Sequence, residues 1–154
     1  MREMGAAKPL SSRPALSRPV LGRSEQVLYG RLVRAFPGHV ILAHVAVSRL
    51  LAADPAASAT EGPALASRGR QLVADFVVCR PDFTALAVVE LEDRAAGRDS
   101  QRDKNRRKDQ LLQSAGIKVV RLAADDIPNE PALKALVAAL PVKSSTARLI
   151  QRAS

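Results

Sequence analysis

The chain has 154 residues, 47% of them hydrophobic, which is enough for one domain with a real core and too much for wholesale disorder. Lysine and arginine number 24 against 15 aspartates and glutamates, a formal charge of +9, so a polyanionic partner such as nucleic acid is expected ahead of an acidic membrane surface. No apolar run approaches the ~18 residues of a membrane span. Prolines and arginines stand at the start where a secretory segment needs apolar residues, and a cytoplasmic protein is expected. The single cysteine, Cys79, excludes an internal disulfide or a cysteine-built zinc site and reads as a buried core thiol.

Residues 1–23 contain a near-repeat, Ser12-Arg13-Pro14-Ala15-Leu16 followed by Ser17-Arg18-Pro19-Val20-Leu21, which predicts an extended basic tail. A domain over 24–140 follows. Ser24 is placed to cap a helix in which Leu28, Leu32 and Phe36 recur at i+4, and Pro37-Gly38 ends it. His39 to Leu51, rich in Val, Ile and Leu, predicts the first strand, with a bend near Ser48. Ala52 to Gly69 is rich in alanine, proline, serine and glycine and reads as a loop.

Leu72 to Cys79 and Thr84 to Glu92 are two strands separated by Arg80-Pro81-Asp82-Phe83, and the short connection predicts an antiparallel hairpin. Arg98 to Ala115 has helical spacing, with Gly116 in the position of a C-terminal cap. Ile117 to Leu122 is a further short strand, and Pro131 to Leu140 a last helix with apolar Leu133, Leu136, Val137 and Leu140. Residues 141–154, with Lys143, Arg148 and Arg152, form a second basic tail. The order α, β, β, β, α, β, α predicts an α/β (α+β) domain whose four-stranded mixed sheet is flanked by helices.

The chemistry concentrates between Leu72 and Leu122. Strand alternation puts Leu86, Val88, Glu90 and Glu92 on one face, the two carboxylates roughly 7 Å apart at Cα. Asp75 shares a face with Val73 and Val77 in an otherwise apolar strand, where an uncompensated carboxylate is costly. A cation would offset that cost, and hard carboxylate oxygens completed by water and phosphate suit Mg²⁺ or Mn²⁺. Such an ion activates water and stabilises charge on a scissile phosphate. On the helix, Gln101, Lys104, Lys108, Leu111 and Ala115 form one stripe, so Leu111 and Ala115 should face the sheet while Lys104 and Lys108 extend toward the acids. Arg98, Arg102, Arg106 and Arg107 fall to the sides or outward, where they can dock flanking phosphates.

Asp75-Phe76-Val77-Val78, then Val88-Val89-Glu90-Leu91-Glu92-Asp93, the basic helix and Ala115-Gly116-Ile117-Lys118-Val119-Val120-Arg121 together resemble an uncharacterised bacterial domain family of the PD-(D/E)XK, restriction-endonuclease-like superfamily. The resemblance covers about Ser24 to Leu122 and implies a restriction-endonuclease-like core. It makes Asp75 and Glu90 metal-binding acids, with Glu25 at an additional acidic position; Glu92, on the Glu90 face of its strand, is a candidate third ligand on its own chemistry. The superfamily's strand lysine falls at Glu92 here, and Lys104 or Lys108 from the following helix takes its place. Where related domains often carry a histidine after the acidic strand, this chain has Ala95-Ala96-Gly97.

The same residues have plainer roles. Glu92 fits a solvated strand end, Asp75 a turn or a pairing with Arg121, and Glu25 a helix-start acid that complements the dipole. Asp103 with Arg106 or Arg107 would merely stabilise a solvated helix face. His39 and His44 lack the neighbours of a zinc site. One tyrosine and three phenylalanines leave little for base stacking. Three functions stay open: a metal-dependent nuclease-like domain that binds DNA and hydrolyses phosphodiester bonds, an inactive DNA-binding adaptor on the same fold, and a protein-interaction module with a protein partner.

Overall fold

The computed structural model describes residues 16–52, 64, 67, 69, 71–93 and 98–139, the side chains of 98–100 excepted. The expectations for 1–15, for nearly all of the 52–69 loop, for Ala95-Ala96-Gly97, for the Arg98 side chain, for Leu140 and for the 141–154 tail fall outside the described residues.

Helix α1 spans Arg23–Ala35 and buries Leu28 and Leu32 completely, with Ala35 and Phe36 closing the same stripe. Its cap is Gly22 rather than Ser24, because Glu25 reaches back and accepts the Gly22 N–H at 2.6 Å, so the chain enters the helix two residues earlier than a serine cap would allow. Gly38, at φ +78°, turns the chain into β1, Val40–Ala46. The strand is shorter than the 39–51 run. A single 3₁₀ turn at Val47–Arg49 provides the bend expected near Ser48, and Val47 is fully buried there with its N–H bonded to Leu72 O at 2.8 Å.

β2, Val73–Cys79, and β3, Ala85–Glu92, form the antiparallel hairpin. Its turn is held by Arg80 N–H on Thr84 O and by Asp82 Oδ1, which accepts both the N–H and the hydroxyl of Thr84. The ladder pairs Val78 with Ala87 but Cys79 with Ala85, so Leu86 is an extra residue. It therefore leaves the face of Val88 and Glu90 that simple alternation gave it, and packs with the cluster containing Ala87 and Val89.

Helix α2, Arg98–Ser114, ends at Gly116, whose φ of +71° is the conformation a C-terminal glycine supplies without strain. β4, Lys118–Ala123, then runs parallel to β3 with Glu90 opposite Arg121. Helix α3, Glu130–Ala139, buries Leu133 and Val137 and leaves Leu136 exposed.

The result is a mixed α+β domain with strand order β1-β2-β3-β4. Leu28 and Leu32 of α1 and Leu133 and Val137 of α3 pack with Phe76, Val78, Val89 and Val120 on one face of the sheet. Leu112 of α2 packs with Val77, Val88 and Cys79 on the other. Cys79 is buried as expected, and burial, helped by Asp82, pushes its thiol up and away from the reactive thiolate. Among the described residues no helix is long and apolar enough to cross a membrane.

Candidate active site

The charged residues singled out from the sequence gather where β2 and β3 part. The last bridge of their ladder is Phe76 with Val89, which makes Asp75 and Glu90 the next cross-strand neighbours. Side chains take over there: Asp75 Oδ2 accepts the Leu91 N–H at 2.8 Å, and Glu90 Oε1 faces the Asp75 N–H at 3.4 Å. The two carboxylates thus share one cleft, as the hairpin predicted.

Glu90 and Lys108 are 4% and 6% exposed, and among the described residues they are the buried charged side chains. Lys108 Nζ donates to Glu90 Oε2 at 2.5 Å and to Val73 O at 2.8 Å. Burial pushes the Glu90 carboxyl up and the neighbouring Asp75 charge adds to this, while Lys108 and, more weakly, Arg121 pull it back. The net direction is upward, with burial as the largest cause.

Of the two lysines on α2, Lys108 is the one that reaches the acids. Leu112, four residues on, is fully buried, and Asn105 and Asp109 lie beside them on the inward side. Gln101, Lys104 and Ala115 are exposed and Leu111 only partly buried, so the sheet-facing line is rotated from the Gln101-to-Ala115 stripe. The adjacent leucines permitted either phase, and packing against β4 selects Leu112. Lys104 still lines the cleft, with Arg102 and Gln101. Arg106 and Arg107 are exposed outside it, Arg106 within 3.4 Å of Asp103 in the local pair expected of a solvated face.

Glu92 does not join Asp75 and Glu90. Its Oε1 accepts from Arg121 at 3.0 Å and from Asn105 at 3.3 Å, and Arg121 also donates to Asp109 at 2.5 Å. Burial opposes the charge on Arg121, but Asp109, Glu92 and Glu90 push the guanidinium above its usual value and keep it ionised. Arg121 therefore pairs with Glu92 and Asp109, not with Asp75. Asp109 and Asn105 were missed from sequence, although Asn105 lies three residues before Lys108 and four before Asp109, spacings that line the three along one side of the helix. The cleft has a volume of about 490 Å³ and is walled by Val73, Asp75, Glu90, Glu92, Lys108 and Arg121, with the α2 side chains at its rim.

Glu25 stands apart from this cleft, on α1, where Oε1 pairs with His44 Nε2 at 2.8 Å while Oε2 caps Gly22. His44 has φ +52° and lies between the Ala43–Phe76 and Val45–Ala74 pairs, opposite Asp75 in β2. Burial raises the Glu25 carboxyl, but the bonds from His44 and Gly22 outweigh it and the net shift is below the usual 4.5. Glu25→Ala is expected to lower stability by ~1 kcal/mol through the lost cap and pair. A carboxylate with a lowered folded value stabilises above its ordinary titration and loses that contribution as pH falls through the folded value. Urea midpoints of the two proteins should accordingly differ at pH 7 and converge below pH 4.5; a gap that stays constant would show that the carboxylate is not what stabilises.

A four-stranded mixed sheet with a buried carboxylate–lysine pair facing an open, charged cleft defines a small α+β domain built around an ionic site. The chain belongs to the family described as a protein of unknown function, DUF2726, whose model matches residues 17–140. Neither the curated proteins nor the solved structures compared with it gave a match.

Proposed function

We propose that the domain is a nuclease-like hydrolase of the restriction-endonuclease-like kind, which binds DNA and cleaves phosphodiester bonds with Mg²⁺ or Mn²⁺. The observation that carries this reading is the trio of Asp75, Glu90 and Lys108, two cross-strand carboxylates with an ammonium 2.5 Å from one of them in a cleft rimmed by basic side chains. The donors fit the ion. Mg²⁺ is usually held by one or two carboxylates and completed by water and substrate phosphate. Asp75 Oδ2 and Glu90 Oε2 are committed to Leu91 and Lys108, so Asp75 Oδ1 and Glu90 Oε1, the latter also facing the Asp75 N–H at 3.4 Å, are the oxygens that would hold it. Among the described residues no three Asp, Glu, His or Cys side chains are grouped to hold a cation, so water and phosphate would have to complete the site.

A bound ion would supply charge stabilisation at the phosphate and acidify water. Lys108 favours the ionised form of Glu90 against the burial that opposes it, and since an ammonium has three protons while Glu90 and Val73 O take two, the third is left for a phosphate oxygen. Lys104 and Arg102 at the rim, and Arg106 and Arg107 outside it, offer charge to flanking phosphates.

One observation favours the inactive adaptor instead. Lys108 already neutralises Glu90, and Glu92 stands where the superfamily has its strand lysine. The deciding experiment incubates the purified full chain with supercoiled, linear and single-stranded DNA, with and without Mg²⁺ or Mn²⁺. Cutting only with the ion supports the nuclease, binding without cutting establishes the adaptor, and neither leaves the protein-interaction module. In both DNA-binding readings affinity should fall steeply with salt, and replacing Arg102, Arg106 and Arg107 together by alanine should flatten log affinity against log salt by about 0.9 for each phosphate no longer neutralised. An unchanged slope would remove α2 from the interface.

A further inference from the structure

Helix α2 has little apolar surface to hold it in place. Among its described side chains Leu112 is the fully buried apolar one, and Leu111 only lies against the same cluster. A helix so attached can rotate about its axis at small apolar cost, yet Lys108 is useful only in the orientation that brings Nζ to Glu90. The orientation is set by polar ties on neighbouring inward positions. Asn105 reaches Glu92, Lys108 reaches Glu90 and Val73 O, and Asp109 reaches Arg121. Arg121 is central to this set, because its two terminal nitrogens go to different elements: NH1 to Glu92 on β3 and NH2 to Asp109 on α2. A planar guanidinium can span two carboxylates in a fixed fork, which a lysine ammonium on a flexible stem does not reproduce. Asp109 is also the residue after Lys108, so fixing it fixes the helix at the point where the lysine must reach inward.

We propose that Arg121 is the positioning residue for Lys108: by bridging Glu92 and Asp109 it holds α2 in the rotation that delivers the Lys108 ammonium to Glu90. The inference rests on reading Glu90 and Lys108 as the working pair of the site, and Arg121 acts through Lys108.

The test is limited acetylation of the folded full chain with acetic anhydride, followed by peptide mass spectrometry. Lys104 is the exposed reference, and Lys118, which donates to Val137 O at 3.0 Å, reports whether the fold stays closed. In the wild type Lys108 should be protected relative to Lys104. In Arg121→Lys its labelling should rise about tenfold or more, the equivalent of losing a charged hydrogen bond, while Lys118 remains protected. Unchanged protection of Lys108 would overturn the proposal. If Lys118 also opens in that variant, Asp109→Asn, which weakens only the α2 side of the bridge, decides: a rise confined to Lys108 supports the proposal and no rise refutes it. Labelling does not depend on cleavage, so a wild type that cuts no DNA leaves this result standing, and unchanged labelling leaves the nuclease reading standing.

Discussion

If the domain cleaves DNA as proposed, Glu90→Ala is expected to abolish the Mg²⁺-dependent cleavage while DNA affinity stays largely intact, because it would remove a proposed ion-holding oxygen from the cleft and leave the basic rim in place. The alanine also strands Lys108, 6% exposed, without its anion. Removing one partner of a buried pair costs about 3–5 kcal/mol, a large part of the stability of a domain this small. Glu90→Gln separates the two effects. It keeps the shape and an acceptor for Lys108 but removes the charge that attracts the ion, so activity should be lost in a protein that remains folded by circular dichroism and urea unfolding. Cutting that persists in both variants would place the activity in a contaminant or at another site.

Lys108→Met should lower the cleavage rate by about 10²–10³, the range for removing one well-placed donor from developing charge, whereas Lys104→Ala, at an exposed rim position, should mainly weaken binding. The variant also carries a pH signature. Glu90 already titrates above its usual 4.5 because it is buried, and loss of Lys108 moves it higher still. A carboxyl with a raised folded value leaves stability intact below its unfolded titration and costs stability as pH rises through the folded value. The stability gap between wild type and Lys108→Met should therefore be small at acid pH and widen as pH rises, as urea midpoints across the range will show. A gap that narrows, or a rate loss confined to Lys104→Ala, would reverse the assignment of the lysines.

The sheet was legible because its signals are local. The Pro81-Asp82 turn between two β-branched runs gives the hairpin, and alternation within each strand then puts Asp75 and Glu90 together without tertiary information. The phase of α2 was not legible. Leu111 and Leu112 are adjacent, about 100° apart around a helix, and so few apolar residues leave two rotations equally good until β4 is in place. The Leu86 bulge leaves no mark in composition, since it inserts an alkyl residue into an alkyl run and both resulting faces stay apolar. Arg121 had several acids within reach of a long side chain, and only the parallel register of β4 against β3 decided among them.

That register also separates the two acids from their counter-charges along the chain. The β2–β3 hairpin closes over a short turn, so Asp75 and Glu90 meet early, as two like charges with no counter-charge beside them. Their compensation is distant in the chain: Lys108 lies 18 residues beyond Glu90, and Arg121 is 29 residues beyond Glu92. A parallel strand cannot pair until its crossover helix is laid down, and a helix as polar as α2 has little reason to persist alone in water. The two carboxylates repel each other throughout, and docking of α2 and β4 brings the Lys108 and Arg121 charges that offset the repulsion. The charge balance at Glu90 is thus complete only with α2 and β4 in place, and it belongs to the assembled domain rather than to the hairpin.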